Sequence, residues 1–296
     1  MPQRPRLQPP GAIYHVMSRG NRKASIFEDD HDRARFLDIV ADACERHAVL
    51  CLAYCLMGNH YHLVLEPPRC NLSWMMRDVN GIYAQYSNRR HGRTGHVFAG
   101  PFKSIPVEND HYLRTVVKYV VTNPIAAGLV QDASSWDWSS HRATAGLSEP
   151  PVFLNFDWME VIFGSQERSQ CQARYRTFIN EPFDINDVSQ LEVLMGSPAF
   201  EISVRSYVGA SMYRMSLPKT YRALARPTLA DLFGTVSWRR TERDQMIRRA
   251  HVLHGYQLSE IATYLGMHPN TMSKVLRRLK DIRSGTARPK RNGTCP

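Results

Sequence analysis

The sequence predicts an α+β fold in which an antiparallel sheet is backed by helices, followed by an all-α C-terminal region. Two observations support this prediction. Strand-type and helix-type segments alternate as far as residue 123, whereas residues 239–280 contain only helix-type segments. With 296 residues and 43% hydrophobic content, the chain can bury one core of ordinary size and carry a smaller appendage.

The elements of the first half follow the order strand, helix, strand, strand, helix, strand, helix. Strands are predicted at 12–18, 48–57 and 60–66, with one or two more within 95–108, and helices at 31–47, 71–92 and 109–123. Asp29 or Asp30 could cap the first helix. Pro124 is expected to end the last helix, because proline lacks the N–H that would continue the hydrogen-bond ladder.

The positive charge of the chain is concentrated near its C-terminus. The formal net charge is +11, and residues 214–296 hold 17 basic and 5 acidic side chains, so this segment accounts for the whole excess. A concentrated basic segment indicates a polyanionic partner, most simply nucleic acid.

Targeting signals and cysteine motifs are not evident in the sequence. No apolar run approaches the roughly 18 residues of a membrane-spanning helix, and the N-terminus lacks an apolar signal core, so we expect a soluble cytoplasmic protein. The six cysteines include no C-x-x-C pair. Reduced, buried thiols are therefore expected rather than a disulfide framework or a zinc ribbon.

Residues 239–282 show a helix-turn-helix pattern. A short helix at 259–265 is followed by a break at Gly266 and Met267, and a further helix begins at Pro269 or Asn270. The polar face of that last helix carries groups that can meet base edges or phosphates: Asn270, Thr271, Ser273, Lys274, Arg277 and Arg278. The alternative is a small basic helical bundle that does not bind DNA.

The stretch "MGNHYHLVLE" places His60 and His62 on the same side of a predicted strand, where they could bind one divalent cation. An H-x-H pattern alone more often reflects two ordinary histidines on a solvent face. Tyr119 and Asn123 share one helical face, and the Asn123 carbonyl oxygen could complete a site of two nitrogens and one oxygen for Mn²⁺ or Mg²⁺. Tyr119 is then the candidate nucleophile and Tyr112 is its rival. A zinc site would need another His, Cys or Asp within reach, and Cys55 on the preceding strand is conceivable but has no motif support.

"GNHYHLVLE", followed by "YVVTNPIAAGLV" with 57 residues from His62 to Tyr119, resembles the single-tyrosine HUH transposases. The resemblance is closest to the REP-associated tyrosine transposases of bacteria, which "YHVMSRGNRK" and "WDWSS" also resemble, and it covers about residues 11–145. It implies a ferredoxin-like HUH endonuclease fold. His60 and His62 would be the metal pair, Asn123 the third ligand and Tyr119 the nucleophile. The residue between the histidines, Tyr61, departs from the aliphatic group of the family, but it is expected to face away from the metal.

The resemblance also implies an activity. The family uses a divalent metal ion, Mg²⁺ or Mn²⁺, and its tyrosine cleaves single-stranded DNA beside a hairpin, leaving a 5′-phosphotyrosine and a free 3′-OH that allows strand transfer. The helix-turn-helix is not part of the family core and resembles that of bacterial replication initiators. It could bind duplex DNA or the hairpin. The alternative is a non-catalytic DNA-binding or transcriptional regulatory protein with an idle nuclease centre. Whether the protein is a monomer or a homodimer is left open.

These inferences divide the chain into a HUH nuclease domain at 1–145, a helical connector at 146–238, the helix-turn-helix at 239–282 and a basic tail at 283–296. Within the first domain, we expect cationic and polar side chains of "RGNRK", "NRRHGR" and nearby segments to contact DNA, although solvated surface arginines are the simpler alternative. The candidates are Arg19, Asn21, Arg22, Lys23, Arg89, Arg90, Arg93, Lys103 and Lys118.

Overall fold

The computed structural model describes residues 12–69, 71–108, 111–182, 194–210, 226–234 and 239–283. The chain forms two compact units, one of residues 8–200 and one that comprises the residues from 201 onward.

The first unit contains four strands, and its helices extend to the start of the second unit. The strands are Ile13–Arg19 (β1), Leu50–Leu56 (β2), His60–Glu66 (β3) and Lys103–Val107 (β4). The helices are Asp30–His47 (α1), Leu72–Arg90 (α2), His111–Ala126 (α3), His141–Thr144 (α4), Asp157–Phe163 (α5) and Arg168–Asn180 (α6). The next helix, Pro198–Ala210 (α7), begins at the end of the first unit and lies mostly in the second.

The four strands form one antiparallel sheet in the order β2-β3-β1-β4. Because α1 connects β1 to β2 and α2 connects β3 to β4, the topology is that of a ferredoxin-like sheet. The predicted α+β fold class is therefore confirmed. β1 lies at the centre, and its register places Met17 opposite His62 and Arg19 opposite His60.

Helices cover both faces of the sheet. One face packs against α1 and α2, whose apolar residues recur at helical spacing, as Phe36 and Val40 do in α1. The opposite face packs against α3 through the fully buried Val116 and Val120. Because side chains of a strand alternate between faces, His60 and His62 project toward α3 while Tyr61 is buried on the other side.

Helix α3 continues through Pro124 to Ala126, so the prediction that proline ends the helix was wrong. Proline removes one N–H and its bond, but Pro124 stands in the last turn, where few ladder bonds remain to be made. The turn is closed by backbone bonds from Ala127 N to Asn123 O and from Leu129 N to Pro124 O, both 2.9 Å. Asn123 thus keeps a helical position one turn after Tyr119.

The first unit extends beyond the expected boundary at residue 145. Trp158 of α5 and Tyr175 of α6 are buried in the same core as α3. The sequence of 146–180 gave little sign of this, because these short helices bury only a few large side chains each.

The second unit is helical, with Leu229–Phe233 (α8), Arg240–Val252 (α9), Leu258–Tyr264 (α10) and Pro269–Arg283 (α11). Its core includes Ile247, Ile261, Met272 and Val275. Parts of the predicted connector, at 183–193, 211–225 and 235–238, and the predicted basic tail from residue 284 lie outside the described residues.

No helix in the described part of the chain is both long and apolar enough to cross a membrane. Four of the cysteines are described, and all four are buried free thiols: Cys44, Cys51, Cys55 and Cys171.

Candidate active site

The predicted metal and nucleophile residues meet where β3 faces α3. The rings of His60 and His62 lie 5.0 Å apart between centroids. The ring of Tyr119 stands edge-on to that of His62 at 5.7 Å, and Asn123 lies within hydrogen-bonding reach of His60. All four line one cavity of about 640 Å³. The rival nucleophile, Tyr112, is not among the residues that line it.

Hydrogen bonds orient the two imidazoles. Nδ1 of His60 lies 2.7 Å from Oδ1 of Asn59, and Nδ1 of His62 lies 2.8 Å from Nε2 of His15. Asn123 donates from Nδ2 to the backbone carbonyl of Tyr119, one turn earlier, at 3.3 Å, so its Oδ1 is the atom left to accept from His60 or to bind a cation.

Burial keeps these imidazoles uncharged near neutral pH. Burial lowers the pKa of His60, and the positive charge of Arg19 lowers it further, against a smaller opposite effect of the Asn123 hydrogen bond. The pKa of His62 is well below the usual value because of burial, with further lowering by His15, His60 and Arg19. Burial also lowers the pKa of His15, to about 4. A neutral imidazole is the form that binds a metal ion.

The residues present fit a divalent cation. Nε2 of His62 is buried and has no hydrogen-bond partner among the described residues, and such an orphaned lone pair is suited to a metal ion. No cluster of three His, Cys, Asp or Glu side chains that could hold a metal ion occurs in the described ranges. The donor set is therefore two nitrogens and one carboxamide oxygen, which suits Mn²⁺ or Mg²⁺ better than zinc.

Two of the cations predicted to contact DNA lie at this cavity. Arg19 ends β1 and Lys103 begins β4, and both side chains are exposed at the cavity wall. Both therefore line the same cavity as Tyr119. Asn21, Arg22 and Lys23 form an exposed short 3₁₀ turn directly after Arg19.

Three other basic side chains that were predicted to contact DNA form hydrogen bonds or ion pairs within the protein. Lys118 is only 2% exposed, and its Nζ donates to the carbonyl oxygens of Phe178 and Glu181, the latter at 2.9 Å. This burial contradicts the predicted DNA contact of Lys118, since the ammonium group faces the end of α6.

The other two are arginines near the end of α2. Arg90 pairs with Asp29 at 2.6 Å and with the fully buried Asp32, and Arg93 pairs with Glu28 at 2.7 Å. These ion pairs hold the start of α1 and argue against Arg90 as a phosphate contact, whereas Arg89 is exposed and remains a candidate.

In the second unit, the polar face of α11 is accessible. The exposed members of the predicted set are Asn270, Ser273, Lys274 and Arg277, and Thr271 is half-buried. Arg278 instead forms an ion pair with the buried Asp244 of α9, at 3.3 Å, so its first role is to hold α11 against α9.

Sequence reasoning missed His15 and Asn59, which contact the two predicted metal ligands. Both stand in stretches that carried the family resemblance. His15 has a signal in the strand alternation, since it shares a face with Met17 and Arg19. Asn59 had no such signal, because it lies in the turn between β2 and β3.

Comparison with known proteins gives one matching family model, over the segment that holds the fold's four strands and this site. Residues 10–123 match the family model described as "Transposase IS200 like". That segment of the chain is therefore similar to the IS200-like transposases.

Among solved structures, the chain is similar to a REP-associated tyrosine transposase bound to a REP hairpin. The two share 16% sequence identity with a TM-score of 0.40, and the match covers 50% of this chain and 87% of the other. No curated protein matches this chain.

Proposed function

We propose that this protein is a metal-dependent endonuclease and strand transferase that cleaves single-stranded DNA beside a hairpin through a 5′-phosphotyrosine. The observation that carries the proposal is the meeting of Tyr119, His60, His62 and Asn123 in one cavity with Arg19 at its wall. A structural role alone would not require a phenol, two neutral imidazoles and a carboxamide to face the same space.

The residues divide the chemistry between them. His60, His62 and Asn123 would hold a divalent cation, which when bound polarises the scissile phosphate. The oxygen of Tyr119 attacks the phosphorus, so a Tyr–O–P bond forms while the P–O3′ bond breaks. The phenolic proton passes to solvent and the departing 3′ oxygen takes one up, leaving a 3′-OH.

This exchange conserves the number of phosphodiester bonds, so the step needs no nucleotide cofactor. The 3′-OH of the same or another strand can attack the phosphotyrosine, restoring the phenol and joining the DNA. Arg19 and Lys103 would bind the non-bridging oxygens and neighbouring phosphates.

The test is formation of a covalent adduct. The full chain is incubated with Mn²⁺ and an oligonucleotide that carries a hairpin and a single-stranded flank, and denaturing electrophoresis detects protein-bound DNA. The native protein should form the adduct, and Tyr119→Phe should abolish it while the matched control Tyr112→Phe retains it. Loss of the adduct in Tyr112→Phe, or its persistence in Tyr119→Phe, would show that the nucleophile is assigned wrongly.

The second unit supports an additional role in binding duplex DNA. Helices α10 and α11 are joined by a short turn at Gly266, and α11 presents Lys274 and Arg277 to solvent. Tight, salt-dependent duplex binding without any adduct would favour the non-catalytic alternative, in which the nuclease centre is idle.

A further inference from the structure

We infer that Asn59 and His15 are positioning residues that fix the hydrogen of each metal-facing imidazole on Nδ1, so that Nε2 of His60 and of His62 is free to bind a cation. The inference rests on the proposed function for the identity of the metal site. The tautomers themselves are properties of the folded chain, so they can be measured without metal or DNA.

The orientation of Asn59 determines the tautomer of His60. Nδ2 of Asn59 donates to the backbone carbonyl of Lys23 at 3.1 Å, so the oxygen of the same carboxamide is the atom that faces His60. That oxygen lies 2.7 Å from Nδ1 of His60 and can only accept. A hydrogen on Nδ1 of His60 satisfies this oxygen, and a neutral ring then has a lone pair on Nε2. The Asn123 carboxamide is the competing acceptor for the same ring, and Asn59 is the one held in place by a second hydrogen bond.

His15 plays the same part for His62. Nε2 of His15 and Nδ1 of His62 are 2.8 Å apart, so one of them carries the shared hydrogen. If Nε2 of His62 carried a hydrogen, a buried donor would lack an acceptor among the described residues, at a cost of about 1–3 kcal/mol. The favoured arrangement has Nδ1–H of His62 donating to His15, with a bare Nε2.

The two positioning residues belong to different elements from the ligands they serve. His15 lies on the neighbouring strand β1, and Asn59 lies in the turn before β3, held by the carbonyl of Lys23 in the exposed 3₁₀ turn. Lys23 itself has a left-handed backbone, with φ of 63°. Outer hydrogen-bond partners of this kind commonly raise metal affinity by about 10–100-fold.

The direct experiment is NMR of the metal-free full chain with ¹⁵N-labelled histidine. We expect the Nδ1–H tautomer for both His60 and His62, with His60→Gln and His62→Gln used to assign the signals. An Nε2–H tautomer at either ring would overturn the inference for that ring, whatever the adduct assay shows.

Mn²⁺ binding, measured by electron paramagnetic resonance without DNA, provides the second readout. His15→Met and Asn59→Leu remove the acceptors at similar volume and should each weaken Mn²⁺ binding about 10–100-fold. His15→Gln keeps an acceptor and should stay within about threefold of the native affinity, on the same principle that the outer hydrogen bond is retained.

Circular dichroism shows whether each variant folds. If a folded His15→Met or Asn59→Leu binds Mn²⁺ as tightly as the native chain, the positioning role is refuted. If the tautomers and affinities follow expectation but the native chain forms no DNA adduct, the proposed activity fails while the positioning role stands.

Discussion

Replacement of His141 by glutamine should reduce the loss of stability that the first unit suffers on acidification. The imidazole of His141 is 4% exposed, with Nδ1 at 3.2 Å from the hydroxyl of Tyr175 and Nε2 at 3.3 Å from that of Ser134. Burial lowers its pKa to about 4, and Arg142 adds to this effect while Asp132 opposes it.

The direction and size of the effect follow from proton linkage. The unfolded chain, with a histidine pKa of about 6.5, binds more protons than the folded chain between pH 6.5 and 4, so stability falls as the pH drops through this window. With a folded pKa of about 4, the contribution of His141 lost between pH 7.5 and 5.0 is about 2 kcal/mol. Glutamine keeps a polar group near Ser134 but does not titrate.

Urea unfolding at the two pH values measures this difference. Tryptophan fluorescence reports mainly on the first unit, because Trp74, Trp136, Trp138 and Trp158 of the five tryptophans lie within residues 8–200. The native chain should lose about 2 kcal/mol more than His141→Gln, and the exposed control His96→Gln should behave like the native chain. Equal losses for the native chain and His141→Gln would refute the reasoning.

Four further substitutions test individual contacts. Leu113→Ala, at a fully buried position of α3, should lower the free energy of unfolding by about 2–5 kcal/mol in urea titrations. Lys118→Met leaves two carbonyls at the end of α6 without their donor and should cost about 1–3 kcal/mol in the same assay. Asp32→Ala should cost less than the roughly 3–5 kcal/mol of a fully buried pair, because Arg90 is partly exposed and keeps its contact with Asp29. Arg277→Ala should lower the salt dependence of duplex binding by about one unit of slope in electrophoretic shift assays.

For each of these four substitutions, one result would contradict the expectation. An unchanged unfolding midpoint in Leu113→Ala or Asp32→Ala would show that the core packing of Leu113 or the ion pair of Asp32 does not stabilise the first unit. A higher free energy of unfolding for Lys118→Met than for the native chain would show that burial of the Lys118 ammonium group destabilises the fold. An unaltered salt slope for Arg277→Ala would place the phosphate contacts of the second unit elsewhere.

The sheet and its neighbouring helices could be predicted from local pattern, because their signals lie within a few residues. Strand 60–66 was predicted with its observed bounds, since the turn at Gly58 and Asn59 and the alternation of faces are both local. The end of α3 was predicted wrongly because the effect of a proline depends on how many ladder bonds follow it. The packing of α5 and α6 depends on surfaces far apart in sequence, which no local pattern contains.

In the candidate site, too, local spacing predicted some residues correctly, whereas contacts between distant residues could not be predicted. His60, His62, Tyr119 and Asn123 follow two short spacings, and the structure brings them together. The assignments of Arg90 and Lys118 rested on charge alone, and their partners lie about 60 residues away in the chain. Whether a cation faces solvent or a carbonyl is decided by tertiary structure, so composition could not distinguish these two from Arg19.

Tyr119 and Asn123 stand on one rigid helix, about 6 Å apart along its axis by the helical rise. A shift of α3 would therefore carry the attacking oxygen and the carboxamide ligand together, while the two histidines stay with the sheet. Cleavage and cation retention would be switched off in a single movement.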